Sequence, residues 1–152
     1  MSWTALTSGD IESALSGPEL EAYRRKAGAA DGRDDDKLAS TIAQVTDEIR
    51  SHIEDCPENK IGAAGTLPER VHFHAVVMVR NRLMNRLGIK ISDGRVTEYR
   101  DAVRFFERVS ECKVKIERPD TADIVEESNT PEIEAVTTQT VQSSRTKLSG
   151  LY

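Results

Sequence analysis

The stretch TLPERVHFHAVVMVRNRLMNRLG, residues 66–88, decides the fold. Thr66-Leu67-Pro68-Glu69 reads as a capping box, in which the Thr hydroxyl accepts from the N–H of residue 69 and the Glu carboxylate reaches back. Pro68 suits a first turn, where its missing N–H costs nothing. Val71, Phe73, Ala75, Val76, Val77, Met78, Val79, Leu83, Met84 and Leu87 follow. At about 100° per residue, the first half of this helix is apolar on almost every side. Such a helix is expected to be buried, in a bundle or in an assembly. Gly88 ends it as a left-handed residue.

A second helix is expected to open at Ser92, with Ile91 and Val96 placed to form a hydrophobic staple. Val96, Tyr99, Ala102, Val103, Phe105, Phe106 and Val109 make its dry half, and Arg100, Asp101, Arg104, Glu107, Arg108 and Glu111 its charged half. It reads as an outer helix packed on the inner one. Lys113-Val-Lys-Ile116 after it looks briefly β-like.

Upstream, Leu38, Ile42, Val45, Ile49 and Ile53 recur at intervals of four, three, four and four residues, an amphipathic stripe of a third long helix. Asp34, Asp35 and Asp36 place negative charge in its first turn, where the peptide dipoles favour it. Before it, Thr7 and Asp10 fit a cap, Leu6 and Ile11 a staple, and Pro18 the first turn of a second short helix carrying Leu20 and Tyr23. Cys56 to Gly65 is expected to be an exposed loop, open to a neighbour. The fold class expected is therefore all-α: a small bundle of three long helices with short N-terminal helices, spanning 1–118. Residues 119–152 are expected to form an extended C-terminal arm. In it, Asp120 to Asn129 is acidic, Glu132 to Val141 is strand-like, and the tip regains apolar character in Leu148, Leu151 and Tyr152.

With 152 residues, 38% of them hydrophobic and 5% aromatic, the chain supports one domain with a modest aliphatic core. No window approaches the roughly 20 apolar residues of a membrane helix and no export signal is evident, so a soluble, cytosolically made protein is expected. Its two cysteines, Cys56 and Cys112, lack metal-site spacing, and reduced thiols are expected. The net charge of −5 divides into −6 over residues 1–68, +5 over 69–118 and −4 over 119–152. Either flanks and centre neutralise each other within the fold, or the basic centre meets a charged partner or DNA.

The ordered set Leu67-Pro68-x-x-Val71, Ala75 through Leu83, Tyr99-Arg-Asp-Ala102, Phe105-Phe106 and Lys113-Val-Lys-Ile116 resembles the head-to-tail adaptor (connector, or head completion) proteins of tailed bacteriophages, particularly the Mu-like group. Leu6-Thr-x-x-Asp10-Ile11 and Glu19-Leu20 are similar to that group's first helices. Arg145-Thr-Lys-Leu-Ser-Gly-Leu-Tyr152 is similar to its C-terminal signature. The resemblance implies a virion protein of the neck, assembled as a homo-oligomeric ring, expected to be dodecameric, beneath the portal protein. Such a ring extends the channel for packaged double-stranded DNA, without reading its sequence, and docks a head-completion, stopper or tail protein. It implies no catalysis. A cytosolic helical regulatory module binding a protein through the same basic helix pair is the alternative.

Chemistry is thinly represented. His72 and His74, two apart on a helix, point about 200° apart and do not chelate one metal. No phosphate cradle or nucleophile elbow is present, so neither an enzyme, a cofactor nor a metal is expected. The candidate interface residues are arginines and the tip. Arg80 falls on a dry side among Phe73, Val76, Val77, Leu83, Met84 and Leu87, where a guanidinium needs a partner. That partner is either a salt bridge within the bundle or a contact across a subunit boundary. Arg82 stands similarly beside Val71, Ala75 and Met78. Arg100, Arg104 and Arg108 form a stripe at four-residue spacing, solvated beside Glu107 and Glu111 or facing an acidic partner. Lys147, Leu148, Leu151 and Tyr152 are expected to lodge in a groove of the portal or of an adjacent copy.

Overall fold

Short-range signals explain most of the helix boundaries. In the computed structural model, which describes residues 2–28 and 33–120, the first helix is α1 (Ser8–Ser13). Its N-cap Thr7 accepts from the Asp10 N–H while the Asp10 carboxylate accepts from the Thr7 N–H at 2.8 Å. The Thr7 hydroxyl and N–H together hold the Asp10 carboxyl below its ordinary pKa. Leu6 and Ile11, either side of the cap, are both buried. Next comes α2 (Gly17–Gly28), whose Glu19 carboxylate accepts from the Ser16 N–H at 2.8 Å. The amphipathic stripe produces α3 (Arg33–Glu54), with Leu38, Val45, Ile49 and Ile53 buried and Ile42 packed against the core.

The central helix is α4 (Glu69–Arg86), which buries Val71, Ala75, Val77, Met78, Val79, Leu83 and Met84. Gly88 has φ +62, as its role in ending that helix requires. The next helix is α5 (Asp93–Ser110), N-capped by Ser92 and burying Ala102, Phe106 and Val109. Helices α3, α4 and α5 pack on one another, α1 lies on α4 and α2 on α3. A bundle of three long helices with two short N-terminal ones is the architecture the sequence predicts. Lys26 of α2 donates to the Leu87 carbonyl at the end of α4. A cation there is favoured by the helix dipole.

Four local expectations are corrected. Thr66 does not cap α4: its hydroxyl donates to the Ala63 carbonyl at 2.6 Å, and the N-cap is Pro68 without a side-chain bond. The reason is tertiary. Leu67–Pro68 is β2, paired antiparallel with β1 (Trp3–Thr4), so the backbone is already extended where the capping box needed a turn. Lys113 to Ile116 forms no strand; it follows the turn after α5 and sends Ile116 into the core. Cys56 and Cys112 form a disulfide with Cα atoms 5.3 Å apart, where reduced thiols were expected. The pairing spans 56 residues and arises only because α3 and α5 end side by side.

Cys56 to Gly65 is also not a free excursion. Arg50 donates to the carbonyls of Gly62, Ala63 and Thr66 at 3.0, 2.9 and 2.9 Å, with its guanidinium 6.0 Å from the Trp3 ring. Asn59 donates to the Ile53 carbonyl at 3.2 Å and accepts from the Ile116 N–H at 3.5 Å. The Trp3 indole N–H donates to the Glu117 carbonyl at 3.1 Å, so one ring ties the first strand to the end of the described chain.

Gly62 lies flat against that ring: a Cβ there would sit 2.7 Å from Trp3 Cδ2. Gly62→Ala is expected to destabilise the fold by about 1–3 kcal/mol through overpacking. Gly94→Ala, which meets nothing within 4 Å in the first turn of α5, should be neutral or stabilising. Urea denaturation of the two variants beside the parent chain measures the difference.

Candidate functional site

The arginines of the central helices divide into those the bundle uses and those it leaves outside. Arg80 is 5% exposed. Its guanidinium donates to Glu98 of α5 and, at 3.4 Å, to the Ala14 carbonyl at the end of α1. The first of the two sequence readings, a salt bridge within the bundle, therefore describes its pairing. Glu98 also accepts from Arg95 at 3.1 Å, and Arg95 grips Glu19 of α2 through Nε at 3.2 Å and Nη2 at 3.0 Å. A chain of charges thus runs from the start of α2 through α5 into α4.

The network moves its own protonation equilibria. Burial pushes the Glu19 carboxyl up, but the Ser16 N–H and the Arg95 guanidinium outweigh it and hold the group below the usual range. Glu98 follows the same balance, with Arg80 and Arg95 as its donors. Arg95 is held above its ordinary value because Glu19 and Glu98 outweigh the burial that opposes its charge.

Arg82 pairs with Glu48 of α3, and Glu48 and Tyr99 raise its pKa against the opposing effect of burial. Arg86 donates to the hydroxyl of the fully buried Thr41 at 2.7 Å. By contrast Arg100, Arg104 and Arg108 of α5 face solvent. The Arg104 side chain is 74% exposed and, among the described residues, pairs with Asp101 of its own helix at 4.0 Å. The structure thus separates Arg80 and Arg82, which join helices, from the α5 stripe, which is a surface. Lys147, Leu148, Leu151 and Tyr152 lie outside the described residues, as do the acidic and strand-like parts of the arm.

Beside the stripe is an aromatic group that sequence reading placed on the dry side. Phe73 is 69% exposed, edge-on to His74 at 5.5 Å between centroids. His74 stacks on Phe105 at 4.1 Å, and Phe105 meets Phe106 edge-on at 5.4 Å. Desolvation lowers the His74 pKa, with Asp101 pulling weakly the other way. His72 instead sits within 3.2–3.3 Å of the Thr4 and Leu67 carbonyls, on the two strands. Among the described residues no group of three or more His, Cys, Asp or Glu is placed to hold a metal, and no helix is long and apolar enough to cross a membrane.

Sequence reading missed Arg50, Arg95 and Glu98. Arg50 sits on the edge of the α3 stripe with no local partner to mark it. Arg95 and Glu98 are ordinary first-turn charges whose i,i+3 spacing was the one available signal. Away from these groups, a groove of about 760 Å³ lies between α1 and α3 and is floored by Leu6, Leu38 and Ile42.

Comparison with known proteins gives one result: residues 6–135 match the family model described as Bacteriophage Mu, Gp36. No curated protein and no solved structure matches the chain.

The pKa shifts set two pH windows. Glu19 and Glu98 are depressed on folding, so their contribution is complete above the ordinary glutamate pKa of about 4.3 and is lost as pH falls through their lower folded values. His74 is also depressed, so the native state binds fewer protons and stability falls as pH drops through about 6.5. Denaturant midpoints measured from pH 8 to 3 are expected to show both decreases. Glu98→Gln should flatten the lower one and His74→Phe the upper one.

Proposed function

The chain belongs to the bacteriophage Mu Gp36 family, and from that premise we propose that it is a structural virion protein, a head-to-tail adaptor. In this reading twelve or so copies form a ring under the portal protein, extend the channel for packaged double-stranded DNA, and dock the next head-completion or tail component. The role is assembly and containment, without catalysis, cofactor or metal. The family match over residues 6–135 carries the reading.

Two features of the surface support it. The described part of the chain satisfies the arginines of α4 internally, so what α5 offers outward is a row of three exposed guanidiniums at four-residue spacing. The row alternates with carboxylates: Asp101, Glu107 and Glu111 stand beside it. A mixed, mostly basic helix face of this kind suits an acidic protein surface, and charge at such an interface governs encounter rate and salt dependence. Phe73, exposed beside the half-buried His74 and Phe105, adds an apolar anchor of the sort that packs between protomers. The tip from Lys147 to Tyr152 is the proposed second point of attachment. The regulator alternative uses the same face but requires no closed ring.

Light scattering with and without portal is the direct test. The isolated protein is expected to be monomeric or weakly associated and to close into a ring on the portal. A tight small dimer indifferent to portals would overturn the adaptor reading in favour of the regulator.

Arg104→Glu is expected to weaken docking several-fold, and more at low salt than at high, with stability changed by no more than about 0.5 kcal/mol. Binding by Arg100→Ala/Arg104→Ala/Arg108→Ala that equals the parent would make the stripe a solvated face only.

A further inference from the structure

The groove between α1 and α3 has the features of a peptide site. Its floor is Leu6, Leu38 and Ile42, with Ala39 and Ala43 leaving room above; its rim carries the carboxylates of Glu12 and Asp47, and among the described residues no lysine or arginine lines it. At about 760 Å³ it falls within the span of roughly 300–1,000 Å³ usual for small binding sites. It differs from the α5 face in sign: that face is basic and aromatic, this one acidic and aliphatic.

We propose that this groove receives residues 143–152 of the same chain, with Leu148 and Leu151 on its apolar floor and Arg145 and Lys147 against Glu12 and Asp47. Three observations converge on that occupant. The first is charge. From Ala135 onward the chain carries two basic residues, Arg145 and Lys147, and no acidic one, so its only cations flank its apolar tip.

The second is where the described chain ends. The Glu117 carbonyl is fixed to the Trp3 indole at 3.1 Å, and that ring lies on Gly62. Leu6, three residues after Trp3, and Gly65, three residues after Gly62, both line the groove. The last described residues are thus held against the strand and loop that lead, three residues on, into the groove lining.

The third is length. The 22 residues 121–142 stand between the last described residue and the proposed occupant, and an unstructured linker of that length has a root-mean-square span of about 25 Å, the scale of a small domain. Intramolecular docking then operates at an effective concentration near the millimolar range, without any demand for high intrinsic affinity. The tip so held buries Leu148 and Leu151 on the apolar floor of the groove. The inference does not depend on the adaptor reading, since it concerns the single chain.

Hydrogen exchange of the full chain, read by mass spectrometry on peptides covering 143–152, tests it. In the parent protein those amides are expected to exchange at least tenfold more slowly than in Ala43→Arg, which places a cation in the groove at an exposed position. The protection should be unchanged on tenfold dilution. Asp47→Lys should reduce the protection several-fold, and Lys147→Asp combined with it should restore most of it. The charge reversal keeps the test decisive if Ala43→Arg fails to fold. Equal exchange in parent and both groove variants would overturn the proposal. Protection that vanishes on dilution would also overturn it, because a second copy would then supply the segment.

Discussion

A guanidinium inside the bundle is the constraint on which the rest depends. Arg80 is nine-tenths and more removed from solvent on the central helix, and an unpaired cation there is not tolerable. Glu98 neutralises it from α5, and the Ala14 carbonyl takes a further N–H from the end of α1. Removing one partner of a buried pair costs about 3–5 kcal/mol, whereas replacing the whole pair by apolar groups is often neutral. Glu98 is 45% exposed, so solvent screens part of that cost. What the pair supplies is therefore orientation more than net stability. Two helices and a helix terminus must meet in one arrangement for all its hydrogen bonds to form.

That orientation fixes which side of α5 faces out. Taking Glu98 as zero and about 100° per residue, Ala102, Phe106 and Val109 fall near 40°, 80° and 20°, while Arg100, Arg104 and Arg108 fall near 200°, 240° and 280°. The carboxylate that satisfies Arg80 thus lies on the same side as the buried residues, and the arginine stripe lies opposite. A rotation of α5 by one position would unpair Arg80 and carry the stripe toward the core edge. Arg95 and Glu19 extend the same control to α2, since the bidentate grip places the start of that helix against α5.

The legible parts of the fold are those whose cause lies within four residues. The Leu38 to Ile53 stripe, the Thr7–Asp10 box, the Ser92 cap position and the Gly88 stop each depend on neighbours in sequence, and each stands where the pattern places it. Thr66 had an equally good local pattern and failed, because Trp3–Thr4, paired with Pro68 and Leu67 from 65 and 63 residues away, claims that backbone. The disulfide and the Arg50 clamp are non-local in the same sense. At the candidate site, the sequence marked Arg80 as needing a partner but not which partner, since Glu98 is one exposed-looking acid among several. Phe73 was misread because an all-round apolar helix gives no indication of which side its neighbours leave bare.

The internal use of arginine also bears on what kind of partner the basic centre suits. Residues 69–118 sum to +5, which taken alone suggests a surface for nucleic acid. Yet Arg80, Arg82, Arg86 and Arg95 are engaged by Glu98, Glu48, Thr41 and Glu19 of the same chain, and Arg70 reaches the Lys115 carbonyl at 3.4 Å. The exposed remainder on α5 is a stripe with Asp101, Glu107 and Glu111 among its arginines. Tracking a phosphate backbone favours an uninterrupted run of positive charge that releases counterions along its length. A face with both signs in fixed order instead discriminates, attracting one complementary protein surface and repelling a shifted one. The α5 stripe therefore suits a protein surface better than a phosphate backbone.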